Sequence, residues 1–285
     1  MPVIRRIILI ELLCLFANLV SAQNSYWNYQ SPYKLSLKKD LIKGGISLSA
    51  YFAGRYIEKH EDPPSFEMGS FTQDDINRII FIDRGVAGRW DMDAKAAGLV
   101  FKRASKIGAS LGLIFLPGDL ESRGSLCVIY LEGYFLTQGL TSFAKGVTDR
   151  YRPFTYKTID QINSLEGNAK EQFLKDITGN DIEDSFFSGD ASATAYTFIF
   201  IAKAFNDYFP DSKLKYGIWG VSVTGTALQA YFRAKSGKHF PTDVIAGSLV
   251  GGSIGFLVPH LHKKLEVQGL SLNPTSYGLS LTYEF

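Results

Sequence analysis

Residues 216–262 read YGIWGVSVTGTALQAYFRAKSGKHFPTDVIAGSLVGGSIGFLVPHLH. Two apolar segments of helical length, Tyr216 to Ala234 and Thr242 to His262, flank a short basic turn. Arg233 closes the first segment. Pro241 stands near the first turn of the second, where its missing N–H costs no helical hydrogen bond. The second segment carries Gly247, Ser248, Gly251, Gly252, Ser253 and Gly255. Small residues let a helix approach its neighbour closely. The pattern predicts a pair of packed helices joined by a tight, charged turn.

Four further apolar segments of helical character lie upstream: Asp40 to Tyr56, Ala94 to Leu116, Ser125 to Lys145 and Ala191 to Phe205. The expected fold is all-α, a helical bundle of about six core helices spanning 40–265. None of the segments is a clean run of the roughly 20 apolar residues that a bilayer span needs. Glu132 interrupts one; Lys102, Arg103 and Lys106 interrupt another. A soluble bundle and a marginal polytopic bundle both fit. Two polar stretches, Glu58 to Asp93 and Tyr156 to Phe187, have the length of lids or binding loops. At the end, Gly278 to Phe285 alternates apolar and polar residues with period two. Residues 266–285 are therefore expected to form a short C-terminal β-hairpin appendage.

The chain has 285 residues, 46% hydrophobic and 20% charged, with a formal net charge of +2. This is globular composition, and the charge gives no reason to expect a nucleic-acid partner. Arg5 and Arg6 precede an apolar run from Ile7 to Leu19, and Val20-Ser21-Ala22 has the small residues of a cleavage site. Residues 1–22 are expected to be a signal peptide, with a retained membrane anchor as the alternative. A polar lead-in follows, 23–39. With Cys14 in the leader, Cys127 stands alone and is expected to be a buried small hydrophobe.

Three short stretches carry chemistry. In the first, Lys145 and Arg152 are seven positions apart, close to two helical turns, and Pro153 is expected to stop the helix. Arg152 offers a fork of donors suited to a phosphate, and Lys145 adds a point charge. The plain alternative is a basic helix end facing its own dipole. In the second, Ser188-Gly189-Asp190 opens an apolar helix, whose free N-terminal amides attract anions. An ordinary N-cap explains the same residues. In the third, Arg233 precedes His239, and Asp243 follows it by four positions. A carboxylate on one ring nitrogen would leave the other free to attack. The plain alternative there is a surface histidine beside an acidic first turn.

Taken in order, these stretches resemble the phosphatidic acid phosphatase type 2 and vanadium haloperoxidase superfamily. Its pattern is K-x6-R-P, then P-S-G-H, then S-R-x5-H-x3-D. Lys145, Arg152 and Pro153 complete the first element, and Arg233, His239 and Asp243 match the third with correct spacing. The resemblance covers about Leu126 to Leu257. It implies a helical bundle in which Lys145, Arg152, Arg233, Ser188 and the Gly189 amide hold a phosphoryl group. His239 would attack phosphorus to give a phosphohistidine, with Asp243 orienting it, using no cofactor and no metal.

Three positions depart from the pattern. Phe187 replaces a proline and Phe232 a serine. Asp190 replaces the histidine that protonates the leaving group. A general acid contributes about 10²- to 10⁴-fold, roughly 3–5 kcal/mol. Asp190 either substitutes as that acid or marks its loss. The leading expectation is an exported phosphatase of the bacterial-type cell envelope. It would act on a phosphorylated small molecule or a lipid phosphate and would associate with the membrane. A phosphate- or headgroup-binding pseudoenzyme and a vanadium-dependent haloperoxidase are the alternatives. Substrate identity and oligomeric state are open.

Overall fold

The computed structural model describes residues 31–60, 66–179, 181–264, 270–275 and 278–283. The expected signal peptide and most of the lead-in lie outside these residues. Six long helices form the body: α1 (Leu37–Lys59), α4 (Met92–Phe115), α5 (Leu120–Thr148), α8 (Gly189–Tyr208), α9 (Leu214–Lys235) and α10 (Pro241–His262). Four short helices fill the connections: α2 (Gln73–Arg78), α3 (Phe81–Arg84), α6 (Ile159–Asn163) and α7 (Gly167–Ile177). The fold is all-α. After the body, Leu270–Thr275 pairs antiparallel with Gly278–Tyr283.

Helix ends follow local chemistry. Asp91 caps α4 by accepting the Ala94 amide at 2.9 Å, and Asp119 caps α5 by accepting the Ser122 amide at 2.8 Å. Ser188 caps α8 through the Ala191 amide. The stop of α5 differs from expectation. The helix ends at Thr148, where Asp149 turns left-handed with φ 40°, so Arg152 lies beyond the helix rather than on its face. Pro153 opens a separate 3₁₀ turn, Pro153–Tyr156.

Helix α8 is the central post, with α4, α5, α9 and α10 packed around it. Gly247, Gly251 and Gly255 recur every four residues along one face of α10. They lie against the backbone carbonyls of Ser188, Ser192 and Tyr196, also four apart on α8. A methyl group on Gly247 would stand 2.6 Å from the Ser188 oxygen, so only hydrogen fits. This register brings the start of α10 beside the start of α8, and with it two of the three sequence stretches. Tyr196, Phe200, Leu126, Ile129 and Ile254 fill the core below.

Three expectations change. Cys127 is exposed, because it falls on the outward side of α5 while Leu126 and Ile129 take the core positions. Residues 31–36 are more than a polar lead-in. Tyr33 is 3% exposed and donates to Asp207 at 3.0 Å, and its segment pairs with Lys263. The stretch from Tyr156 to Phe187 is no plain loop either. Phe173, Ile177, Ile162 and Ile182 bury themselves with Phe154 in a second core that stiffens it.

Candidate active site

The site forms where the starts of α8 and α10, the end of α9 and the segment after α5 meet. His239 lies just before α10 and is 2% exposed. Its Nδ1 is 2.7 Å from the Ser185 carbonyl oxygen. A carbonyl only accepts, so Nδ1 carries the proton and Nε2 keeps its lone pair. Nε2 points toward the Arg152 guanidinium, 3.5 Å away. Burial, then Arg152 and Arg233, hold the imidazole's pKa well below its ordinary value, and Lys145 adds to the effect. All three expected cations thus act on a neutral histidine whose Nε2 carries no proton.

Arg152 is 4% exposed and fixed from several sides. Its Nε donates to the Asp181 carbonyl at 2.6 Å and Nη1 to the Lys238 carbonyl at 3.1 Å. Its Nη2 pairs with the Asp181 carboxylate at 2.9 Å. Arg233 is 8% exposed, and its Nε has no hydrogen-bond partner among the described residues. A buried guanidinium N–H without an acceptor is a donor left for a ligand or water to satisfy. Lys145 sits at the rim, 3.3 Å from Glu58 and 4.0 Å from Asp184. Ser188 is fully buried, and the opening turn of α8 brings amides with no intrahelical acceptor.

Asp243 does not touch the imidazole in the way its spacing suggested. Being in the first turn of α10, its carboxylate folds back onto the Phe240 amide at 2.8 Å. It also accepts from the Ser185 hydroxyl at 2.6 Å and pairs with Arg150. Ser185 therefore joins the two residues: its hydroxyl donates to Asp243, and its carbonyl accepts from His239. Asp243 is thus linked to His239 through Ser185. Burial, against the pull of Arg150, pushes the Asp243 carboxyl up.

Asp190 lies between two cations, 2.6 Å from Lys102 and 3.4 Å from Arg233. Burial pushes its carboxyl up, but Arg233 and Lys102 outweigh this and leave it below the ordinary value. It is an ionised partner of the cradle.

Sequence reasoning missed five contributors. Arg150 joins Asp243, Asp83 and Thr242 and stacks over Phe240. It stood unassigned between Lys145 and Arg152. Ser185, Asp181 and Lys102 came from outside any recognised spacing. Asp83, on the four-residue helix α3, is fully buried and accepts the Thr242 amide at 3.0 Å, tying the first long connection to the site.

A cationic, histidine-bearing site at the meeting of helix ends, within an all-α bundle, defines the class. A model of the PAP2 superfamily matches residues 126–266, from α5 through the end of α10, and the chain belongs to that superfamily. Phosphatase-type activity on phosphate esters or lipids follows as the functional class. No match was found among curated proteins.

Proposed function

We propose that the protein is an exported, membrane-associated phosphatase that hydrolyses a phosphomonoester or lipid phosphate through a phosphohistidine on His239. The observation that carries this reading is a neutral, buried His239 whose unprotonated Nε2 faces Arg152, with the orphaned Arg233 Nε close by. Three cations and helix-start amides offset the charge of the transferring phosphoryl group, so the scheme needs no metal.

In the first step Nε2 bonds to phosphorus as the ester P–O bond breaks. The leaving oxygen takes its proton from water. In the second step a water oxygen attacks phosphorus, the P–N bond breaks, its electron pair returns to Nε2, and a proton passes to solvent. Asp190 is ionised and holds Arg233 and Lys102 in place. Aryl phosphates, whose leaving groups need no proton, are therefore the best substrates.

Three features support a lipid substrate. Leu41, Phe52, Val100, Ile107, Val221 and Leu249 are exposed on the long helices. Among the described residues, Pro241–His262 is long and apolar enough to cross a membrane. A groove of about 810 Å³ runs between α8, α9 and α10 past Ala230, Ile245 and Phe256. Its upper end is within one helical turn of Arg233 and Asp243, close enough for a chain attached to the bound phosphate.

The ionised Asp190 also favours a second reading, a phosphate binder without turnover. Purified protein assayed on p-nitrophenyl phosphate and on a lipid phosphate separates the two. Turnover that His239→Ala abolishes supports the enzyme; phosphate binding with no His239-dependent turnover supports the binder.

A further inference from the structure

The far end of α10 holds a second buried histidine. His262 is the last residue of the helix and is 3% exposed. Its Nδ1 lies 2.8 Å from the Val258 carbonyl, one turn back. That bond fixes one proton on Nδ1 and turns Nε2 toward the neighbouring side chains. Nε2 faces Asp40 Oδ1 from α1 at 3.1 Å and Glu132 Oε2 from α5 at 3.3 Å. The three ligand atoms lie within 4.8 Å of one another. Glu132 Oε2 has no hydrogen-bond partner among the described residues, although its side chain is only 9% exposed. Its charged neighbour is the His262 ring: burial lowers the imidazole's pKa, but Glu132 outweighs this and holds it above the ordinary value.

We propose that Asp40, Glu132 and His262 bind one first-row divalent metal ion, which clamps α1 and α5 to the end of α10. Tetrahedral metal–ligand bonds of about 2.0–2.2 Å set neighbouring donors roughly 3.3–3.6 Å apart. The observed separations of 3.1 and 3.3 Å need little adjustment to meet that. One imidazole and two carboxylates suit zinc or manganese. The Val258 carbonyl plays the outer role expected at such a site, fixing the tautomer and ring orientation.

Lys43 occupies the open side. Its Nζ is 3.1 Å from His262 Nε2 and 3.3 Å from Asp40 Oδ1, and its side chain is 30% exposed. The ammonium stands where the ion would enter and can swing out to solvent when it does. It neutralises Asp40, whereas Glu132 Oε2 is met by the His262 ring; a metal would neutralise both carboxylates. The 23 positions from His239 to His262 correspond to about 35 Å of helix, so this ion takes no part in phosphoryl transfer.

The test uses the full chain, stripped with a chelator and titrated with Zn²⁺ and, separately, Mn²⁺ by calorimetry. One equivalent should bind and raise the melting temperature. His262→Ala and Glu132→Gln should each weaken binding by at least about tenfold and remove the thermal shift. If His262→Ala fails to fold, the near-isosteric Glu132→Gln decides alone. Absence of one-equivalent binding by either ion, or binding that Glu132→Gln leaves unchanged, would overturn the site.

Discussion

His239 and His262 stand at opposite ends of α10, and both are nearly inaccessible to solvent. Both give the Nδ1 proton to a backbone carbonyl, Ser185 in one case and Val258 in the other. Their tautomers are alike; their surroundings are opposite. Nε2 of His239 faces Arg152, with Arg233 and Lys145 nearby, whereas Nε2 of His262 faces Asp40 and Glu132. The cations hold the His239 pKa well below its ordinary value, and Glu132 holds that of His262 above it. The charge of the partners, rather than the histidine itself, is what separates the two proposed roles, attack on phosphorus at His239 and metal binding at His262.

Replacing each histidine separates the two roles most sharply. His239→Ala should lower kcat on p-nitrophenyl phosphate by roughly 10³-fold or more, as expected for loss of a covalent nucleophile. His262→Ala should leave the rate of the folded protein within a few-fold. Equal losses in the two variants would mean that the ends are not functionally distinct.

The next effect tests the cationic surroundings. Arg233→Lys keeps a charge but removes the guanidinium fork and the orphaned Nε. It should lower kcat by about 10²-fold, the scale for losing one preorganised donor to the transition state. A steady-state assay beside inhibition by inorganic phosphate checks this, and both should weaken together. A smaller effect belongs to the support of His239. Ser185→Ala removes the hydroxyl that links Asp243 to the histidine-bearing backbone, and should lower kcat about tenfold. Adding Asp243→Asn should cost little more, because both changes break the same link. Full additivity would show that Asp243 acts by another route.

The histidines also show what was legible beforehand. His239 could be found because Arg233, His239 and Asp243 keep a fixed spacing across one turn, and the six long helices could be found because their apolar content is continuous. The supporting contacts could not. Ser185 reaches His239 across 54 positions and Asp83 reaches Thr242 across 159, separations that no local pattern encodes. The expected Asp243–His239 bond failed for a local reason that spacing hides: a carboxylate in the first turn of a helix turns back onto the free amide behind it. His262 carried no motif, because its partners come from α1 and α5.

The smallest effect is a slope of stability against pH. The folded-state pKa of His239 is depressed by burial and by Arg152, Arg233 and Lys145, and so lies below its unfolded value of about 6.5. Between those two values the unfolded chain binds a proton that the native protein does not. Stability must therefore fall as pH drops below about 6.5, by at most roughly 1.4 kcal/mol per pH unit from this residue. Asp184 and Asp243, whose carboxyls burial pushes up, contribute with the opposite sign. The total slope is thus not diagnostic, but a difference between variants is. His239→Gln cannot titrate and should lose less melting temperature than wild type between pH 7.5 and 5.5. Parallel curves would mean that His239 accepts its proton as readily in the fold as outside it, and the neutral nucleophile would go with them.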